Sequence, residues 1–192
     1  MPNLYIIAGC NGAGKTTASY TVLPEILNCK EFVNADEIAK GISPFQPETV
    51  SFHAGRIMLE RINQLLIQNV DFAIETTLTT LSYQRTIELA KRENYNITLL
   101  FFWLNDVNLA IERVKSRVSE GGHNIPKEVI VRRYYRGVKN LMFVFIKLCD
   151  YWLIIDNSKR SFTLIAEGNA VFETTIYENE TWTKLKDQSH EK

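Results

Sequence analysis

The sequence is short of the residues from which metal centres and disulfide scaffolds are built: its 192 residues include three cysteines and three histidines. Cys10, Cys29 and Cys149 are far apart and form no Cys-x-x-Cys pair, which excludes a zinc ribbon or a redox pair and fits a reducing, cytoplasmic setting. His53, His123 and His190 supply no ligand set for a transition metal. Net charge is missing as well. Lys plus Arg and Asp plus Glu each number 22, so no global field draws the chain to nucleic acid or to an anionic membrane. Long apolar runs are also lacking, because Leu99 to Leu104 is short and Leu141 to Ile155 is broken by Lys147 and Asp150, against the roughly 20 residues a membrane span needs. Met1-Pro2-Asn3 lacks the cationic start of a signal peptide, so no export signal is expected.

What is present is the balance of a globular protein, 45% hydrophobic and 23% charged, at a length that one domain over 1–192 can use. Short apolar runs alternate with segments of helical period, the pattern of an α/β fold with helices on both faces of a parallel sheet. Core strands are expected at Leu4 to Ala8, Glu31 to Ala35, Phe72 to Thr76, Ile97 to Leu104 and Tyr151 to Asp156. A helix is expected from Lys15 to about Leu27, limited by Pro24, with others at Glu48 to Asn69, Ser82 to Arg92, Asp106 to Ser119 and Lys127 to about Leu148. Ser82 and Asp106 suit N-caps. Beyond Asn157, Ser161 to Gly168 and Ala170 to Ile176 read as a C-terminal hairpin turning at Gly168-Asn169, followed by a frayed polar tail from Lys184 to Lys192.

One motif narrows the class. Gly9-Cys10-Asn11-Gly12-Ala13-Gly14-Lys15-Thr16 satisfies G-x-x-x-x-G-K-[ST] between an apolar strand and a helix start, the context that a phosphate-binding loop requires. The expected fold is therefore a P-loop NTPase three-layer sandwich with about five core strands and a C-terminal hairpin. In such a loop the backbone amides and the following helix N-terminus cradle phosphate, Lys15 reaches the β and γ phosphates of ATP, and the Thr16 hydroxyl ligates Mg²⁺. Cys10 is a small filler in this loop, or a thiol activated by the helix start.

Acidic and basic residues elsewhere suit phosphoryl transfer. Asp36, after the second strand, is placed to accept the proton of an acceptor hydroxyl, its bland alternative being a helix N-cap. Glu75 ends the third strand, where a carboxylate reaches Mg²⁺ or holds a substrate hydroxyl, and Thr76, Thr77 and Thr79 add neutral groups suited to a sugar or nucleoside. Around Gly121-Gly122-His123-Asn124-Ile125-Pro126 the charge is lopsidedly basic, and residues about 117–136 read as a lid supplying Arg117 and one of Arg132 and Arg133 to the transferring phosphoryl group. Arg113, Lys115, Lys127, Arg136 and Lys139 share that stretch. His123 reads as a lid hydrogen-bonding residue. No Asn-Lys-x-Asp segment for guanine is found, which disfavours a GTPase.

Taken together, Ala8 to Thr17, Asn34-Ala35-Asp36-Glu37-Ile38, Ala54-Gly55-Arg56, Phe72 to Leu78, Gly121 to Pro126 with Arg132-Arg133-Tyr134, and Asp156-Asn157-Ser158 resemble the zeta toxin family of P-loop kinases. The resemblance implies Asp36 as catalytic base, the loop from Gly9 to Thr17 and the lid arginines on ATP, and Glu75, Thr76, Thr77 and Arg56 toward a nucleotide sugar such as UDP-N-acetylglucosamine. It also implies an antitoxin protein as partner. Two rivals remain open at this stage: a kinase for another metabolite, and a binding module governed by nucleotide state. Nucleic-acid binding near Arg132 and Arg133 lacks interleaved aromatics beyond Tyr134 and Tyr135.

Overall fold

The computed structural model describes residues 1–119, 121, 122, 124–169 and 174–191. Strands β1 (Asn3–Gly9), β2 (Glu31–Val33), β3 (Phe72–Thr76), β4 (Asn96–Trp103), β5 (Tyr151–Asp156), β6 (Thr163–Asn169) and β7 (Thr175–Ile176) form one sheet in the order β2-β3-β1-β4-β5-β6-β7. The pairings from β2 to β5 are parallel, whereas β6 and β7 add antiparallel.

Strand side chains alternate between two cores. Leu4, Ile6 and Ala8 enter one apolar cluster and Tyr5 and Ile7 the other, so β1 is covered on both faces and reads as a continuous apolar run. The first cluster is closed by α3 (Ser51–Gln68) through Met58, Ile62 and Leu65, by α4 (Tyr83–Arg92) through Ile87, and by a C-terminal helix discussed below. The second is closed by α1 (Lys15–Thr21) through Ala18 and by α5 (Val107–Ser119) through Ala110 and Val114. Helix α6 (Lys127–Asn140) serves both, giving Ile130 and Tyr134 to one and Val138 to the other.

Local chemistry explains the departures from the expected elements. β2 ends at Val33, short of Ala35, because the Asn34 side chain caps α2 (Ala35–Ile42) by accepting from the N–H groups of Asp36 and Glu37. Near Pro24, which has no N–H to donate, α1 widens into a π-type turn over Val22–Ile26. The long third helix starts as a 3-10 turn at Pro47–Val50. The helix after Pro126 passes through a π-type turn at Leu141–Phe145 into the short α7 (Ile146–Leu148). Asp106 does cap α5, its Oδ1 accepting from Asn108 N–H at 2.8 Å, whereas Ser82 shares a hydrogen with Thr80 instead.

Two expectations at the C-terminus are corrected. Gly168 and Asn169 lie inside β6 and form no tight turn; a Cβ on Gly168 would stand 2.5 Å from the Trp152 ring, so this glycine serves close packing. Ala170, Val171, Phe172 and Glu173, the start of the expected second hairpin strand, lie outside the described residues. The supposed frayed tail is the helix α8 (Asn179–His190), which buries Trp182 and Leu185 and stacks Trp182 on Trp152 with ring centroids 6.1 Å apart.

Candidate active site

The loop between β1 and α1 is held open by its neighbours. Gly14 precedes α1 at φ 81°, and no side chain caps the N–H groups that follow it, which leaves them to an anion. Asn157, just beyond β5, donates from Nδ2 to the Ala13 carbonyl at 2.7 Å, and a Cβ on Gly14 would lie 2.5 Å from that nitrogen. Gly9 runs so close to β4 that a Cβ would meet the Phe102 carbonyl oxygen at 2.3 Å. Only glycine fits these approaches.

Lys15 is buried at 6% exposure. Its Nζ donates to the Cys10 carbonyl at 3.0 Å and lies 3.6 Å from Glu75 Oε1. The other oxygen of Glu75, Oε2, accepts from Thr16 Oγ1 at 2.8 Å and from Asn34 Nδ2 at 2.9 Å. Parallel pairing of β1 with β3 sets Thr76 beside Ala8, which brings the carboxyl end of β3 to the start of the loop. Glu75 thus meets the lysine and the threonine of the phosphate loop. A hydroxyl and a carboxylate, both oxygen donors beside a phosphate cradle, suit Mg²⁺, which is commonly held by one or two carboxylates together with substrate phosphates.

A cleft of about 810 Å³ opens above the loop. Lys15, Thr16, Thr17 and Glu75 form one wall; Asp36 and Lys40 of α2 form another, with Pro47, Glu48 and Ser51 beyond them. Arg113, Arg117, Gly121 and Gly122 border it from α5 and the turn that follows. Asp36 sits in the first turn of α2 rather than at the strand end, and its exposed side chain caps nothing. Burial draws the Arg133 guanidinium below its ordinary value, while the Asp36 carboxylate opposes that shift and the Arg132 charge adds to it. Burial likewise raises the Tyr83 phenol, and the Asp36 charge adds to that shift; the hydroxyl itself donates to Met58 Sδ at 3.7 Å.

The basic residues divide. Arg133 donates from Nη1 to Asn11 Oδ1 at 3.1 Å and so touches the loop, whereas Arg132 is exposed; neither lines the cleft itself. Arg117 is on the rim. Arg113, which the sequence placed only among the surrounding charges, donates to the Gly12 and Ser158 carbonyls at 3.5 and 3.2 Å. The α6 half of the lid region is anchored in the core by Ile130 and Tyr134. Glu120 and His123 lie outside the described residues.

Three substrate-side expectations fall outside the cleft. Thr76 is buried and its hydroxyl accepts from Leu78 N–H at 3.0 Å. Thr77 pairs its hydroxyl with Thr79, and its carbonyl is so close to α6 that a Cβ on Gly137 would stand 2.6 Å away. The Arg56 guanidinium rests 5.7 Å from the centre of the Phe52 ring. Residues that spacing did not single out are Asn34, which bonds Glu75, and Asn157, which supports the loop; the only available signal was their place within the recognised stretches. A second cavity of about 610 Å³ lies at the outer edge of β2 and shares Tyr20 and Glu37 with the cleft, but holds no loop residue.

A parallel sheet ordered β2-β3-β1-β4-β5, with a glycine-rich phosphate loop leading from β1 into α1, defines an α/β protein of the P-loop kinase fold. The family model for Zeta toxin matches residues 1–167, and the chain belongs to that family. It is 29% identical over 126 residues to an uncharacterized protein of Haemophilus influenzae, covering 66% of this chain and 88% of that one. Among solved structures, the AvrRxo1-ORF1:AvrRxo1-ORF2 complex with sulphate ions contains a chain of similar fold, with a TM-score of 0.79 and 16% identity over 96% of this chain. The match spans 63% of that longer chain. The same complex solved with ATP gives a TM-score of 0.78 at 17% identity, covering 96% of this chain and 63% of that one. The PezAT toxin-antitoxin system of Streptococcus pneumoniae gives 0.68 at 16% identity, covering 98% of this chain and 86% of that one. At these identities the likeness is one of fold. No helix among the described residues is long and apolar enough to cross a membrane.

Proposed function

We propose that this chain is an ATP- and Mg²⁺-dependent kinase that transfers the γ phosphate to a hydroxyl of a small molecule, a nucleotide sugar such as UDP-N-acetylglucosamine. The observation that carries the reading is a single cleft with Lys15, Thr16 and Glu75 on one wall and Asp36 on another. Membership of the zeta toxin family supports it, as does the ATP in the structurally similar AvrRxo1 complex.

In this reading the loop amides and Lys15 hold the triphosphate, and Thr16 and Glu75 hold Mg²⁺. The ion, when bound, neutralises charge on the β and γ oxygens. Asp36 accepts the proton of the acceptor hydroxyl as its oxygen bonds to the γ phosphorus; the bond to the β-phosphate oxygen breaks and ADP leaves. Arg133, Arg117 and Arg113 add positive charge where negative charge develops on the transferring phosphoryl group. The same reading takes an antitoxin protein as partner and the cytoplasm as the site of action. Phe45 and Phe52, 97% and 82% exposed, flank the Pro47–Ser51 border of the cleft and offer an apolar contact there.

The test is mass spectrometry of acceptors incubated with the purified chain, labelled ATP and Mg²⁺. Label is expected on a nucleotide-sugar hydroxyl. Asp36→Asn should lower kcat about 100- to 10,000-fold with ATP affinity held within about twofold. Label on another metabolite reassigns the acceptor, and ATP loss that no acceptor changes removes the kinase reading.

A further inference from the structure

Asn34 touches both halves of the site although the chemistry above gives it no part. It is buried, at 6% exposure, between β2 and α2. Its Oδ1 accepts from the N–H groups of Asp36 and Glu37 at 2.8 and 3.4 Å, and its Nδ2 donates to Glu75 Oε2 at 2.9 Å. Only one orientation of the amide satisfies all three, because the N–H groups need an oxygen and the carboxylate needs a donor. Oε2 thereby takes two donors, Asn34 and Thr16, while Oε1 faces Lys15. Two bonds on one oxygen fix which oxygen Glu75 turns to the lysine.

Resting on the kinase reading, we infer that Asn34 is a positioning residue: it presents Glu75 to the metal side of the cleft and ties that carboxylate to the helical turn bearing Asp36. Its two roles separate by substitution. Serine is as good an N-cap as asparagine but is too short to replace the amide that reaches Glu75. Aspartate keeps the shape and the cap and sets a carboxylate where the donor stood.

The experiment compares wild type, Asn34→Ser and Asn34→Asp by thermal melting, by calorimetric binding of ATP in Mg²⁺ and in EDTA, and by kcat and KM. Asn34→Ser should melt within a few degrees of wild type and bind metal-free ATP within about twofold, while its affinity for ATP in Mg²⁺ and its kcat fall about 10- to 100-fold, the usual cost of losing a partner that orients a metal ligand. Asn34→Asp should lose at least as much despite its intact cap. Binding of ATP in Mg²⁺ by Asn34→Ser within twofold of wild type overturns the inference. So does an equal loss with and without metal alongside a lowered melting temperature, which marks a lost cap alone. A wild-type chain that phosphorylates no acceptor sinks the kinase reading, while the binding arms still decide the role of Asn34.

Discussion

Lys15 is an ammonium group buried with two oxygen partners, the Cys10 carbonyl and Glu75. A charge so placed is tolerated only when paired, and both partners keep it beside the loop. Lys15→Ala should weaken ATP binding at least tenfold by calorimetry, and Lys15→Arg should not restore it, because a planar fork does not replace a compact ammonium in a closed site. Unchanged affinity in Lys15→Ala would remove the phosphate cradle. At the neighbouring Cys10, burial pushes the thiol up to about 11, so it stays protonated at neutral pH and the filler reading prevails over the activated thiol. One contact sorts the arginines: Arg133 reaches Asn11 of the loop, whereas Arg132, one position earlier, is exposed.

Among elements, α8 shows where pattern reading fails. Its polar residues Lys184, Lys186, Asp187 and His190 hide a stripe of two large apolar side chains, Trp182 and Leu185, with Gln188 one turn further on. That stripe is too short to register as amphipathic, yet Trp182 stacks on Trp152 and Gln188 accepts from the Trp103 indole N–H at 2.8 Å. Trp182→Ala should cost about 3 kcal/mol in urea denaturation while ATP affinity is unaffected; a cost below about 1 kcal/mol would mean that α8 is not docked. The third and fifth strands were legible to the residue because apolar runs bounded by polar turns have only one reading in a covered sheet. β2 was read two residues too long because Val33 and Ala35 are both apolar and the cap formed by Asn34 is a hydrogen-bond event, invisible in hydrophobicity.

For the whole molecule, stability should fall in alkali. Burial raises the thiols of Cys10 and Cys29 from 9.0 to about 11 and that of Cys149 to about 12. The folded state therefore holds protons that the unfolded chain gives up from about pH 9. The stability they contribute is present below pH 9 and is lost as pH rises through 11 to 12. The phenols of half-buried Tyr83 and buried Tyr134, also raised by burial, act in the same direction. Melting temperature should hold level from pH 7 to about 9 and decline above it, less steeply in Cys149→Ala. Equal melting temperatures at pH 8 and pH 11 would contradict the burial of these groups.

The phosphate loop, the parallel sheet and the family were determined by sequence alone, since a run of eight residues carries the loop chemistry and short-range periodicity carries the strands. Tertiary structure alone decided which distant charges meet. Thr16 and Glu75 are 59 positions apart and Asn11 and Arg133 are 122 apart; the strand order β2-β3-β1 and the passage of α6 between two cores bring them together. The same passage closes α6 against Thr77 and keeps it from the cleft. Local spacing holds no record of such contacts, because the packing of a three-layer fold, and not the chain's own period, sets the distance between them.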